Sequence, residues 1–419
     1  MRILHAADLH IDSPLGGLSA YEGAPVDEIR GATRRATEHL VDTAIAQEVD
    51  VVVVAGDVFD GDWRDYSTGL FWIGQLARLN DAGIPVVVIT GNHDAASIVS
   101  QSLTLPPNTA LLSNAHPEVF VIDDLDLAVV GQGYASRVVT DDLAAAYPPA
   151  DPGLFTIGLL HTSLDGRPGH DAYAPTTVET LRSKGYQYWG LGHVHQREVI
   201  ATDPWIVFPG NVQGRHSRET GPKGATLVTV ESGQVVDVDA IPLDVVRFTT
   251  CEVDASDMRD RDEVVGTVAQ RFAEIRVEAG SRLAVARVKL VGASPAHEEL
   301  WRDPHGFEAE VRSVAQQADR VWAEKVTLAT SRPGDRDRFR DDEAVTAISA
   351  RITQLRGTPG LLAEYASELD ALRSKLAADA RSGGHDAVDT LRIGTPEHLA
   401  ECLDASRELI IALLAEGAT

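Results

Sequence analysis

The chain is expected to be an α/β protein, on two observations. Short apolar runs rich in Val and Ile alternate with stretches of helical periodicity over roughly the first 240 residues. The composition is that of an ordinary soluble globular chain, 44% hydrophobic and 24% charged, and 419 residues leave room for two or three domains with a large core.

In chain order, uninterrupted apolar runs predict strands at Arg2–Ala6, Asp50–Ala55, Pro85–Thr90, Leu127–Val130, Phe155–Leu160 and Tyr188–Leu191. Within the first run, His5 is expected to be a buried, hydrogen-bonded core residue. Helical spacing appears at Glu28–Gln47, Ser67–Ala82 and Thr177–Lys184. Ile206–Phe208, Ala225–Val230 and Val235–Ile241 read as further strands, the last two as a hairpin through Ser232-Gly233. Such alternation argues for a layered α/β domain.

The character changes near Val245. A strand (Val246–Val253), a helix (Glu263–Val277), a strand (Arg282–Leu290), a helix (Phe307–Gln317) and a strand (Val321–Leu328) predict a small α/β domain. A charged stretch, SRPGDRDRFRDDE (331–343), follows. The tail then places Ile348, Ile352 and Leu355, Leu362, Leu369 and Leu376, and Leu399, Leu403 and Leu414 at helical spacings. The expected organisation is a catalytic domain at 1–244, a small α/β domain at 245–335 and a helical tail at 340–419.

Composition narrows the function. The two cysteines, Cys251 and Cys402, exclude a disulfide framework and a thiolate zinc site. With no leader pattern at the start, a cytoplasmic protein is expected, and the apolar runs are too short to cross a membrane. The net charge is −26, of which −18 falls in residues 1–244 and −8 in residues 245–419. Such a chain should bind nucleic acid weakly by general electrostatics.

The chemistry gathers where strands end. ILHAADLH finishes on Asp8 and His10, VVVVAGDVFD on Asp57 and Asp60, and VVVITGNHD on Asn92, His93 and Asp94. TIGLLHTSL carries His161, and YWGLGHVHQ carries His193 and His195. In α/β sheets functional groups collect at the carboxyl ends of strands, so five such ends can converge on one cleft. Gly91 is expected to let the backbone turn sharply there. Asp, Asn and His without thiolate suit Mn²⁺ foremost, or Fe²⁺ or Zn²⁺, and seven ligands are too many for one ion. Two ions about 4 Å apart sharing one carboxylate would use them all.

The order D-x-H, G-D, G-N-H-D, H and G-H-x-H resembles the calcineurin-like metallophosphoesterase superfamily over roughly residues 1–240. More narrowly, LHAADLHIDSPLGGL, GDVFD, TGNHD, YWGLGHVHQRE and PGNVQGRHSRETGPKG are similar to the YhaO-type DNA repair exonucleases, relatives of the SbcD nuclease subunit. The resemblance implies a four-layer α/β-β/α sandwich with a small α/β capping domain. It implies one metal on Asp8, His10, Asp57 and His195 and a second on Asp57, Asn92, His161 and His193, Asp57 bridging. His93 would protonate the leaving oxygen, while the two metals would supply hydroxide from a shared water. Asp60 and Asp94 are candidates to orient a histidine or a loop. His170, in the loop GRPGHDAYAP, and Arg215 and Arg218, in NVQGRHSRETGPKG, are candidates for substrate contact.

The expected function is therefore a metal-dependent phosphodiesterase, a DNA exonuclease with single-strand endonuclease action, in DNA repair. A small-molecule phosphoesterase acting on cyclic nucleotides or phosphomonoesters, and an architectural subunit with a vestigial site, are the alternatives. The expected partners are DNA and an SbcC-like coiled-coil ATPase docked on the tail, with a homodimer as a further assembly.

Overall fold

In the computed structural model of the chain, the described residues are 1–13, 15, 24–60, 66–96, 104–164, 173–334, 347, 350–354, 399 and 403. Two six-stranded sheets dominate. The first runs β12 (Gln234–Pro242), β11 (Gly224–Glu231), β1 (Arg2–Ala6), β2 (Val51–Ala55), β3 (Val86–Ile89), β4 (Thr109–Leu111). Here β1 to β4 are parallel, and β11 closes antiparallel on β1 through pairs such as Leu4 with Leu227. The second runs β5 (Glu118–Ile122), β6 (Leu127–Gly131), β7 (Phe155–His161), β8 (Tyr188–Gly192), β10 (Trp205–Phe208), β9 (Glu198–Thr202). Its four inner strands are parallel, and its two edges antiparallel.

Alternation along the strands builds the layers. Val51, Val53 and Ala55 of β2 face Leu127, Val129, Ile157 and Leu159 of the second sheet across one apolar core. Val52 and Val54 point the other way, onto Leu40, Val41 and Ala44 of helix α2 (Ala32–Ala46) and Trp72, Leu76 and Leu79 of helix α3 (Tyr66–Asp81). The outer face of the second sheet, with Val130, Leu160 and Leu191, packs on Leu181, Tyr147 and Tyr186. The result is helix, sheet, sheet, helix, the sandwich that the family resemblance implied.

Several details differ from the sequence-based expectation. The helix expected over 28–47 is interrupted at Gly31, which separates α1 (Val26–Arg30) from α2, because Gly is a poor helix interior. Strands β4, β5 and β9 and the helix His297–Arg302 were not anticipated. These strands are short and sit at or beside sheet edges, and β5 leaves Val119 and Val121 exposed, so no buried apolar run marks it. The hairpin between β11 and β12 turns at Ser232 and Gly233, both at positive φ (50° and 75°), as a tight primed turn requires.

The chain divides into two compact units. One comprises Met1–Pro14, Pro25–Thr249 and Ala279–Val285; the other comprises Leu15–Ala24, Thr250–Glu278 and Ala286–Thr419. In the later part of the chain, β13 (Val246–Asp254), β14 (Leu283–Ala293) and β15 (Val321–Ser331) form a three-stranded sheet, with helices at Arg261–Ala279 and Pro304–Gln317. Of the tail at 340–419, only Ala347, Ala350–Gln354, Leu399 and Leu403 are described, all helical; the remainder of that expected region lies outside the described residues.

Candidate metal centre

The parallel strands deliver their following loops to one place. The chain after β1 lies along the chain after β2: Asp8 N–H donates to Gly56 O, His10 N–H to Asp57 O and Ile11 N–H to Val58 O, each near 3 Å. Asp8, His10, Asp57 and His193 all adopt positive φ (52°, 42°, 53° and 98°). Left-handed backbone at four non-glycine residues is costly, and such strain concentrates at functional sites. Gly91, by contrast, is not at positive φ. Its role is close approach: a Cβ there would sit 2.2 Å from Asp57 Oδ1. Gly56 needs both properties, with φ +90° and a Cβ position 2.6 Å from His161 Nδ1.

Asp8, His10, Asp57 and His161 are buried. His161 Nε2 is 3.4 Å from Asp57 Oδ2 and 2.9 Å from Asn92 Oδ1. His10 Nε2 is 3.9 Å from the same Asp57 oxygen and 3.1 Å from His195 Nε2. Both oxygens of Asp8 accept from the backbone N–H of His193, whose ring lies 5.3 Å from that of His161. Three overlapping sets, Asp8/His10/His195, Asp8/Asp57/His161 and His10/Asp60/His93, each bring ligand atoms within reach of one ion.

The donor chemistry fits cations. His161 Nδ1 donates to Ala55 O at 2.9 Å and His195 Nδ1 to Glu219 Oε1 at 2.6 Å, so each ring directs its Nε2 into the cluster, where a cation can take the place of a proton. Among the described residues His10 Nδ1 is buried without a hydrogen-bond partner; Asp60 Oδ1 at 3.6 Å is too far for one. Burial, and then the Arg215 guanidinium, push His10 down to about 3, which keeps its ring neutral and its lone pair available. Burial likewise pushes Asp8 up to about 6. Burial would also raise Asp57, but His161 and His10 hold it well below the usual carboxylate range. His161 is itself lifted to about 9, because the Asp57 carboxylate outweighs the cost of burying an imidazolium.

His93 stands apart from the buried candidate ligands. Its side chain is 35% exposed, its backbone N–H donates to Asp57 Oδ1 at 2.9 Å, and its Nδ1 donates to Asp60 Oδ1 at 2.9 Å. The bond to Asp60 raises the His93 pKa against the opposing effect of burial. Asp60 is in turn held by Ser13 Oγ (2.8 Å) and Arg215 Nη2 (2.8 Å), and Arg215 Nε also reaches Ser13 Oγ (2.9 Å). Asp94 does not face a histidine. Its carboxylate accepts from the N–H groups of Val58, Phe59 and Gly91 and so pins the β2 and β3 loops together.

Of the substrate-contact candidates, Arg215 lies inside the site with Nη1 3.4 Å from His10 Nε2, and Arg218 is exposed on the same loop. His170 lies outside the described residues. Outside the cluster, His5 meets its expectation, buried with Nδ1 2.9 Å from Tyr188 Oη. Sequence reasoning missed Ser13 and missed Glu219 as a histidine partner. Both sit in quoted motifs, but nothing in the local pattern says which distant ring they meet.

Comparison with known proteins agrees with this geometry. A model of the calcineurin-like phosphoesterases matches residues 1–197, and a model of the middle domain of metallophosphoesterase YhaO matches residues 248–331. The chain is 34% identical over 331 residues to the uncharacterized metallophosphoesterase YhaO of Bacillus subtilis (strain 168), covering 77% of this chain and 80% of that one. It is 26% identical over 347 residues to the DNA double-strand break repair protein Mre11 of Haloferax volcanii, covering 81% and 74% of the two chains. To the Mre11 of Sulfurisphaera tokodaii it is 25% identical over 274 residues, covering 62% and 67%. The chain belongs to the calcineurin-like metallophosphoesterases, in the family of YhaO, and is a metal-dependent phosphoester hydrolase.

Proposed function

We propose that this phosphoesterase cleaves phosphodiester bonds in DNA, as an exonuclease with single-strand endonuclease action in DNA repair. The observation that carries the reading is His93, a half-exposed imidazole bonded to Asp60 at the rim of a buried Asp/His/Asn cluster. The similarity to two proteins named for DNA double-strand break repair supports DNA as the substrate.

Asp8, His10, Asp57 and His195 would hold one divalent ion, and Asp57, Asn92, His161 and His193 the other, with Mn²⁺ favoured by the oxygen and nitrogen donors. Bound there, such ions would neutralise phosphoryl charge and acidify water to furnish the nucleophile. The chain's own residues supply the rest. His93 keeps its Nδ1 proton on Asp60, so the doubly protonated ring can release the Nε2 proton to the leaving oxygen and remain bonded afterwards. Arg215 and Ser13 hold Asp60 in position for this, and the Arg215 guanidinium adds positive charge beside His10. Arg218 projects from the same loop toward solvent, where a DNA phosphate can reach it.

A net charge of −26 supports a partner for DNA binding, which we infer to be an SbcC-like coiled-coil ATPase docking on 340–419. Among the described residues no helix is long and apolar enough to cross a membrane, and a cytoplasmic enzyme is the reading we favour. The test is linear single- and double-stranded DNA incubated with the Mn²⁺-loaded chain, with a chelator control and bis-p-nitrophenyl phosphate alongside. Mn²⁺-dependent shortening of DNA is expected. Turnover of the small diester with intact DNA, even when the ATPase partner is added, would replace DNA by a small phosphoester.

A further inference from the structure

We propose that Glu219 is a positioning residue of the metal centre: its carboxylate selects the tautomer of His195 and, with its other oxygen, ties down the turn that carries Arg215. The inference rests on the reading of this cluster as an ion site.

The geometry is a three-way junction. Glu219 Oε1 accepts from His195 Nδ1 at 2.6 Å. Glu219 Oε2 accepts from the backbone N–H of Arg215 at 2.7 Å and from Asn211 Nδ2 at 2.8 Å. His216 Nε2 lies 3.4 Å from Oε1. The backbone N–H of Glu219 donates to His216 O at 2.9 Å, closing the turn. The ring nitrogen that carries the proton in a neutral imidazole is set by the bond the other nitrogen makes. His161 makes that bond to a main-chain carbonyl, Ala55 O, which no substitution removes. His195 makes it to a side chain.

The turn also matters to the acid. Arg215 leaves the Glu219-bound backbone position to reach Asp60 Oδ2 and Ser13 Oγ, and Asp60 holds His93. One carboxylate therefore links an ion ligand to the network that orients the general acid. Lys223 supports the same arrangement from the main-chain side, with Nζ 2.8 Å from His195 O. A Gln at 219 has one acceptor oxygen. It can serve His195 or the Arg215 turn, while its NH₂ would meet donors on the other side.

The experiment uses the full chain. Histidine ¹⁵N spectra of the ion-free protein, with His195 assigned through His195→Gln, read the tautomer directly. The wild type is expected to show His195 as the Nδ1–H form, Glu219→Ala to lose that form, and Glu219→Gln to keep part of it. Mn²⁺ titration followed by electron paramagnetic resonance is expected to show two ions in the wild type. In Glu219→Ala one ion should weaken about 10- to 100-fold and the other should hold within about twofold. Glu219→Gln should fall between them, and it carries the test if the Ala variant fails to fold. An Nε2–H form of His195 in the wild type, or unchanged binding of both ions in the variants, would overturn the proposal. A wild type that takes up no Mn²⁺ would count against the metal reading, while the tautomer spectra still decide the role of Glu219.

Discussion

In the second compact unit, Glu324 is fully buried and fully answered: Arg287 Nε and Nη2 each donate to one of its oxygens, at 2.8 and 2.9 Å. In the first unit Asp8, His10, Asp57 and His161 are buried as deeply, yet two imidazole Nε2 atoms face each other at 3.1 Å and, among the described residues, His10 Nδ1 has no hydrogen-bond partner. Buried polar groups are normally satisfied. A region that closes its charges internally is architecture, whereas one that leaves lone pairs converging is completed from outside. Asp94 makes the same contrast within the site, being buried like Asp57 but satisfied by three backbone N–H groups.

The largest effect that would sharpen this contrast is Asp57→Asn. Removing the carboxylate shared by His161, His10 and the His93 backbone N–H should lower phosphoester turnover roughly 10³-fold or more, with loss of bound ion measured by elemental analysis. Full ion content in this variant would break the claim that Asp57 is the shared ligand. His93→Ala should cost about 10²- to 10⁴-fold in kcat with the ion content unchanged, since the ring sits at the rim rather than among the candidate ligands. Steady-state kinetics with parallel metal analysis separates the two variants.

The opposite pattern is expected in the second unit. Arg287→Met strands Glu324 without its cation and should cost about 3 kcal/mol in urea unfolding. Mn²⁺ affinity should be unchanged, and a weaker ion there would show that the two regions are not separate in their chemistry.

A smaller, pH-dependent effect belongs to His5. Burial pushes its pKa down to about 3, against 6.5 in the unfolded chain. The unfolded state therefore takes up the proton first, so this contribution to stability is complete above about pH 6.5 and is lost as pH falls toward 3. At pH 5 the loss is about 2 kcal/mol. His5→Gln should flatten the pH dependence of urea unfolding by that amount between pH 7 and 5. An unchanged slope would mean that His5 does not stay neutral in its place beside Tyr188.

The candidate ligand residues were legible because polar side chains follow closely on apolar strands. Val51–Ala55 is followed by Gly56-Asp57, and Tyr188–Gly192 by His193. The sandwich itself was legible only through family resemblance, since strand alternation does not say how two sheets stack. Edge strand β5 was hidden because it buries little. Glu219 was hidden for a different reason: its partner His195 is 24 residues away, and a Glu between Arg218 and Thr220 reads locally as a surface counter-ion. The true constraint on Gly91, an approach to Asp57 across two strands, is likewise a tertiary fact.

The most direct test of the central claim is anomalous diffraction from crystals grown with Mn²⁺. Two peaks are expected in the first unit, one among Asp8, His10 and His195 and one among Asn92, His161 and His193, with Asp57 touching both. A single ion, none, or a pair that leaves Asp57 untouched would contradict the account.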